Sequence, residues 1–307
     1  MAKFDVVTFG SAVVDTFVDT EFSKGSNLFS YPTGSKILVQ DLKSDLGGGA
    51  TNTAVAFSRL GLKTGCICRI GNDNNGIDIL EMFKKEKIKF LGSISQEKTG
   101  ESIILDSKGN GRTVLTFKGP GNNIKSSEIP KIKTRWLYYS SVLRESFKTQ
   151  IKLAKKLKAK VAFNPSEYII KAMDIRPLLK LTEVLILNKE EAQFLCKKYT
   201  SKGISAEAGK KKDILVCLRE FGPKVVVVTD KNKLAYAFDG KKKYSIKPNN
   251  IKVIERTGAG DAFASGFVAG IIVGKTIQES LKLGLRESES VIRYFGAKNK
   301  LLRMKLK

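Results

Sequence analysis

Histidine is absent from this chain of 307 residues. Its absence removes Ser-His-Asp and Cys-His nucleophiles, imidazole acid–base chemistry and His-bearing zinc sites, so any catalytic base is a carboxylate, lysine, tyrosine or thiol. Cysteine is scarce: Cys66, Cys68, Cys196 and Cys217 are scattered and form no CxxC pair. They read as reduced core thiols. No apolar run approaches membrane-spanning length, Val268–Val273 being far too short, so no membrane partner is expected. Met1–Asp5 leads directly into strand-like 6–9 with no signal-peptide pattern, which makes the cytoplasm the expected location. There is no linker rich in Pro, Gly or Ser, no low-complexity tract and no internal repeat. One domain spanning 1–307 is expected, long enough for a full core.

Negative charge is also in short supply. Lys+Arg 55 against Asp+Glu 30 gives +25, which raises the question of nucleic acid. The lysines are spread along every segment, as in Ile151–Lys158, and the clusters Lys210–Lys212 and Lys241–Lys243 are short. No basic stripe interleaved with aromatics accompanies them, so specific nucleic-acid binding is not expected. The field still favours small polyanions such as ATP at low salt.

What is present is an alternation of short apolar runs and amphipathic stretches. Strands are predicted at Val6–Gly10, Gly65–Ile70, Arg135–Ser140, Lys160–Asn164, Val184–Leu187 and Lys224–Thr229. Helices are predicted at Ala50–Leu60, Asp78–Ile88, Phe147–Leu157, Glu190–Lys197, Ile214–Glu220, Ala259–Ile272 and Ile277–Phe295. The pattern implies an α/β fold with a doubly wound, mostly parallel sheet flanked by helices, whose ligands bind beyond the carboxyl ends of the strands. Two regions break it, 13–46 and 102–118, which read as β segments; Ile103–Asp106 and Thr113–Phe117 flank a polar Gly-containing turn as a hairpin.

Two glycine clusters carry the chemistry. Thr257-Gly258-Ala259-Gly260-Asp261 opens an apolar helix. Small residues at a helix start let N–H groups and the positive dipole end close on a phosphate, and Asp261 in the first turn can take a proton from an attacking hydroxyl. Gly47-Gly48-Gly49-Ala50-Thr51-Asn52 opens a second helix about 200 residues earlier. There the backbone is approachable, and Asn52 offers both donor and acceptor to a hydroxyl-rich ligand. A segment that mimics a P-loop, Ala269–Thr276, follows a helix instead of a strand, and Thr276-Ile277-Gln278-Glu279 reads as a capping box.

Together these segments resemble the two signatures of the ribokinase-like (PfkB) carbohydrate kinases: GG-x-x-x-N, here Gly47, Gly48 and Asn52, and D-T-x-GAGD, here Glu255 to Asp261. Asn188-Lys189-Glu190-Glu191 is similar to the family's N-x-x-E motif, and the likeness extends over nearly the whole chain. The resemblance implies an ATP- and Mg²⁺-dependent kinase that phosphorylates a primary hydroxyl of a small ribose- or fructose-like sugar. Asp261 would be the base, and Gly258, Ala259 and Gly260 would supply the anion hole. Asp15, Gly48, Gly49 and Asn52 would hold the acceptor; Arg112, on the predicted hairpin, either meets the substrate or a phosphate or is a solvated strand charge. Asn188, Glu191, Thr229 and Thr257 would attend the nucleotide, Glu191 reaching Mg²⁺ through water. Segments of about 13–46 and 92–120 would form a small β lid over the acceptor.

Two departures from the family pattern leave details open. Glu255-Arg256 stands where the family has Asp-Thr, so a monovalent cation site is an open question. Thr229–Leu234 lacks the glycines of the usual nucleotide turn. A nucleoside acceptor is the alternative substrate, with Phe17, Phe22, Phe29 and Tyr31 as the aromatic surface for its base. A non-catalytic sugar, nucleotide or nucleic-acid binding module is the alternative of another class. Homodimerisation through lid strands stays open as well.

Overall fold

The computed structural model describes residues 3–20, 30–106, 112–200 and 213–306. Phe22, Phe29, the hairpin turn after Asp106 and Lys210–Lys212 lie outside them, as does the side chain of Arg112.

The strands in chain order are β1 (Lys3–Phe9), β2 (Val13–Thr20), β3 (Val39–Gly47), β4 (Thr64–Ile67), β5 (Arg69–Gly71), β6 (Lys89–Phe90), β7 (Ser93–Ser95) and β8 (Gly100–Asp106). They continue with β9 (Arg112–Phe117), β10 (Lys133–Ser140), β11 (Lys160–Asn164), β12 (Val184–Asn188), β13 (Val225–Thr229), β14 (Ala235–Phe238) and β15 (Lys243–Ile246). The helices are α1 (Gly49–Arg59), α2 (Asn74–Lys85), α3 (Arg144–Leu157), α4 (Glu167–Ala172), α5 (Arg176–Leu179), α6 (Lys189–Tyr199), α7 (Ile214–Glu220), α8 (Ala259–Ile272) and α9 (Ile277–Val291).

Nine strands form the central sheet in the order β15-β14-β13-β12-β11-β10-β1-β4-β6. From β13 to β6 every pairing is parallel, and the hairpin β14–β15 adds an antiparallel edge. Parallel strands are covered on both faces, and alternate residues serve opposite cores. Val7, Phe9, Leu137, Tyr139, Phe163, Leu185 and Val226 pack with α3, α6 and α7. Val6, Trp136, Tyr138, Ala162, Ile186 and Val227 face α8, α9 and Phe57 of α1. The single strand expected over Gly65–Ile70 is broken in two, because β5 leaves the main sheet to pair with β7.

The two β regions form a separate four-stranded sheet, β3-β2-β8-β9. Strand β2 runs antiparallel to β3 and parallel to β8. Side chains alternate across such a sheet, so Asp15, Phe17, Asp45 and Ser102 share one face. The opposite face exposes Leu42, Ile103, Leu115 and Phe117.

One expectation is corrected. Cys66 and Cys68 are free and buried, but Cys196 and Cys217 are joined by a disulfide. The packing of α6 on α7 brings their Cα atoms to 6.3 Å, within bridging range, a proximity that the 21-residue separation does not reveal. The P-loop mimic is helical through Ile272 and then turns at Gly274, and Thr276 with Glu279 forms the expected capping box.

Glu287 of α9 is fully buried beneath α8. Its Oε2 accepts the Leu302 N–H at 3.0 Å while Oε1 has no partner among the described residues. Burial pushes its carboxyl up to about 7. A carboxyl raised by folding binds its proton more tightly in the native state, so stability falls as pH rises from its ordinary value to about 7 and stays low above it. Glu287→Gln is therefore expected to raise the melting temperature at pH 8, at roughly 2–4 °C per kcal/mol recovered, with the gain vanishing near pH 5. A gain independent of pH in calorimetry would contradict this account.

Candidate active site

Both signature segments become helix starts at the carboxyl edge of the sheet. Gly48 is the N-cap of α1 with φ 102°, and a Cβ there would lie 2.4 Å from the Ser11 carbonyl oxygen. A Cβ on Gly47 would collide with the Asp15 carboxylate and one on Gly49 with the Ser140 side chain. These glycines let β2, β3 and α1 close together, so they place Asp15 beside the helix start.

Gly258, the N-cap of α8, has φ 77°, and its Cβ would fall 2.6 Å from Ala297. Gly260 is different: it is exposed, and a Cβ there would meet nothing within 4 Å. The Ala259 N–H donates to the Arg256 carbonyl at 3.2 Å, whereas those of Gly260 and Asp261 lie in the helix's first turn, pointing out of its end. Glu255 fixes the approach to the turn: its carboxylate accepts both the N–H and the hydroxyl of Thr257 at 2.8 Å.

A hydrogen bond joins the two helix starts. Asn52 Nδ2 donates to Asp261 Oδ2 at 2.8 Å. Behind Asn52, Lys298 Nζ donates to its Oδ1 at 3.0 Å. Lys298 is only 7% exposed, and it is supplied by the chain reversal after α9, where Arg59 donates to its backbone carbonyl at 2.6 Å. Asp15 and Asp45, register partners on β2 and β3, complete the surroundings together with Lys118.

Burial pushes the Asp261 carboxyl up to about 6, opposed by the Asn52 amide and the Lys298 charge and reinforced by Asp15. Burial likewise raises Asp15, while a hydrogen bond from Ser102 and the charges of Lys298 and Lys118 act against it. Desolvation lowers both lysines, and the surrounding carboxylates oppose that. A carboxylate ionised at neutral pH but with appreciable proton affinity is what a general base requires.

Asn188, Glu191 and Thr229 form a second corner, while Arg112 lies on the four-stranded sheet. Asn188 and Thr229 are register partners at the ends of β12 and β13. Asn188 and Glu191 make a reciprocal capping box on α6, and burial pushes Glu191 up to about 7. The turn after Thr229 is polar: Asp230 pairs with Lys189 and Lys231 with Glu190, both at 2.8 Å. Arg112 opens β9 opposite Asp106. Among the described residues, no group of three or more Cys, Asp and Glu side chains is placed to hold a metal. Lys298, Lys118 and Asp45 belong to the site but were not singled out from the sequence. Lys298 comes two residues after Gly296, where a Cβ would lie 2.5 Å from the Asp45 carboxylate, a closeness visible only in the structure.

Comparison with known proteins places this arrangement in context. The pfkB family carbohydrate kinase profile matches residues 3–303. An uncharacterized sugar kinase of Archaeoglobus fulgidus is 28% identical over 260 residues, 81% of this chain and 99% of that protein. A cytidine kinase of Thermococcus kodakarensis is 27% identical, with 95% of this chain and 97% of that protein covered. The ribokinase of Thermotoga maritima superimposes with a TM-score of 0.80 at 19% identity, over 96% of this chain and 95% of that one.

The glycines separate by role. Gly260→Ala is expected to leave the melting temperature unchanged or raise it, since alanine is favoured over glycine in a helix by about 0.5–1 kcal/mol, while nucleotide affinity falls. Gly258→Ala is expected to destabilise the fold, because its backbone lies at φ 77° against Ala297. Thermal melts with and without ATP read both.

Proposed function

Because this chain belongs to the pfkB family of carbohydrate kinases, we propose that it transfers the γ-phosphate of ATP to a primary hydroxyl of a small sugar, with Asp261 as base. The observation that carries this reading is the Asn52–Asp261 hydrogen bond joining two glycine-opened helix starts beside the open surface of Gly260.

The acceptor lies among Asp15, Asn52 and the Gly48-Gly49 backbone, its hydroxyl against Asp261. Asp261 takes the hydroxyl proton as that oxygen bonds to the γ-phosphorus. The bond to the β,γ-bridging oxygen breaks, and ADP leaves with the electron pair. The outward N–H groups of Gly260 and Asp261 and the dipole of α8 offset charge on the phosphoryl oxygens, with Gly258 and Thr257 shaping the turn. The four-stranded sheet acts as the lid that excludes water from this step.

Asn188, Glu191 and Thr229 line the nucleotide end. The Glu191 carboxylate caps its own helix, so it suits a magnesium ion reached through water and held chiefly by the phosphates. Magnesium supplies charge neutralisation on those phosphates. We assign no step to a monovalent cation, because Thr257 occupies the Glu255 carboxylate.

Of the two described aromatics named for a nucleoside base, Tyr31 is exposed and Phe17 favours a small sugar. Phe17 is buried with its ring edge-on to Phe295 at 4.6 Å between centroids, and so is used in packing. The exposed apolar face bearing Leu42, Ile103, Leu115 and Phe117 supports pairing of two copies through the lid.

ADP release from Mg-ATP across sugars, sugar phosphates and nucleosides tests the reading. Acceptor-dependent release is expected, strongest with a small sugar, and Asp261→Asn should lower kcat by about 10²–10⁴. Since Asp261 works ionised, kcat/KM should fall as pH drops through about 6. Turnover unaffected by Asp261→Asn would overturn the assignment of the base.

A further inference from the structure

We propose that Lys298 is a positioning residue for phosphoryl transfer: its ammonium holds the Asn52 amide in the orientation that presents Nδ2 to Asp261. The inference rests on the reading of Asp261 as the base. Its basis is the three-membered chain in which Lys298 Nζ donates to Asn52 Oδ1 at 3.0 Å and Asn52 Nδ2 donates to Asp261 Oδ2 at 2.8 Å.

An amide offers an acceptor on one side and donors on the other, so an isolated asparagine beside a hydroxyl-rich ligand can turn either way. An ammonium has only donors, and it compels the Asn52 oxygen to face it. The NH₂ group is thereby committed to the carboxylate. With the amide reversed, Oδ1 would face Asp261 as one acceptor against another, and Nδ2 would face Lys298 as one donor against another. Both residues are well buried, Asn52 at 5% exposed and Lys298 at 7%, so water is poorly placed to repair either mismatch.

Opposite charges surround the lysine. Desolvation is the largest influence on it and lowers it; Asp45 of β3, Asp15 of β2 and Asp261 of α8 oppose that and favour the ammonium, while Arg59 of α1 adds to the lowering. Arg59 also fixes the lysine's backbone. Tyr138 of β10 is buried, and desolvation followed by the Asp261 charge raises its hydroxyl. Lys298 thus contributes twice to the base, through the amide that it orients and through its own positive charge. Both effects favour the ionised carboxylate.

The test is kcat/KM against pH for the wild type, Lys298→Met, Lys298→Gln, Asn52→Ala and the Lys298→Met/Asn52→Ala double variant, with thermal melts of each. The acceptor is whichever panel compound supports ADP release. For Lys298→Met we expect the acid limb to move up by about one pH unit. The rate near pH 6 should then fall by up to about tenfold, recover largely by pH 9, and leave KM for ATP unchanged. Lys298→Gln keeps a donor without the charge and should fall between wild type and Lys298→Met. The double variant should lose less than the two single losses combined, because the orienting part of the lysine's contribution acts only through Asn52 while its charge acts directly. A loss uniform across pH with the limb in its wild-type position would overturn the proposal, as would fully additive losses in the double variant. If Lys298→Met does not fold, the limb of Lys298→Gln decides the same question. An active Asp261→Asn enzyme would instead refute the base assignment itself, a result distinct from an unmoved limb in the lysine variants.

Discussion

The site depends on a hydrogen bond between two packed helix ends. Helices α1 and α8 start about 200 residues apart in sequence, yet Asn52 and Asp261 meet at 2.8 Å. Each start is opened by a glycine with positive φ, which lets the preceding strand or turn come close enough for first-turn side chains to touch. Bringing two helix N-termini together concentrates positive dipole ends, and the carboxylates Asp15, Asp45 and Asp261 supply the compensating charge. An anion such as a phosphate adds to a region already organised around that balance.

Burial then sets the chemistry. Desolvation is the largest influence on Asp15, Asp261, Lys118 and Lys298 alike, raising the acids and lowering the bases. Opposite charges and the Asn52 amide pull each group back toward ionisation. Asp261 is therefore ionised at neutral pH without being so stabilised that it loses affinity for a proton. The same desolvation gives Glu287 a different outcome: the Leu302 N–H and the charges of Arg59 and Arg286 oppose it, yet one carboxylate oxygen has no partner among the described residues and its ionisation burdens the fold.

The parallel sheet, its helices and both glycine-opened helix starts were legible in the sequence, because a buried strand reads as an apolar run and a positive φ reads as glycine. The register of the four-stranded sheet was not legible, so Asp45 could not be matched with Asp15 before the strands were placed. Lys298 was hidden for another reason. It is one of 55 basic residues, and nothing local distinguishes a lysine turned inward by a chain reversal from one in water. Asn188 and Glu191 show the converse: their spacing carried a motif, and the structure finds in it a helix cap that any surface helix can use. The Cys196–Cys217 pairing needed the packing of α6 on α7, which spacing does not encode.

The reversal that delivers Lys298 is stitched to α1: Arg59 holds its carbonyl, and Met304 and Leu306 donate to the carbonyls of Arg59 and Leu60. This has a consequence for biosynthesis. Asp15, Asn52 and Asp261 all precede Lys298 on the ribosome, so a growing chain can assemble the central sheet and both helix starts while their organising cation is still missing. Its carboxylates would stand unbalanced and the amide of Asn52 unoriented. A nascent chain thus holds the carboxylates of the candidate site before it holds the lysine that faces Asn52, which the reversal after α9 supplies.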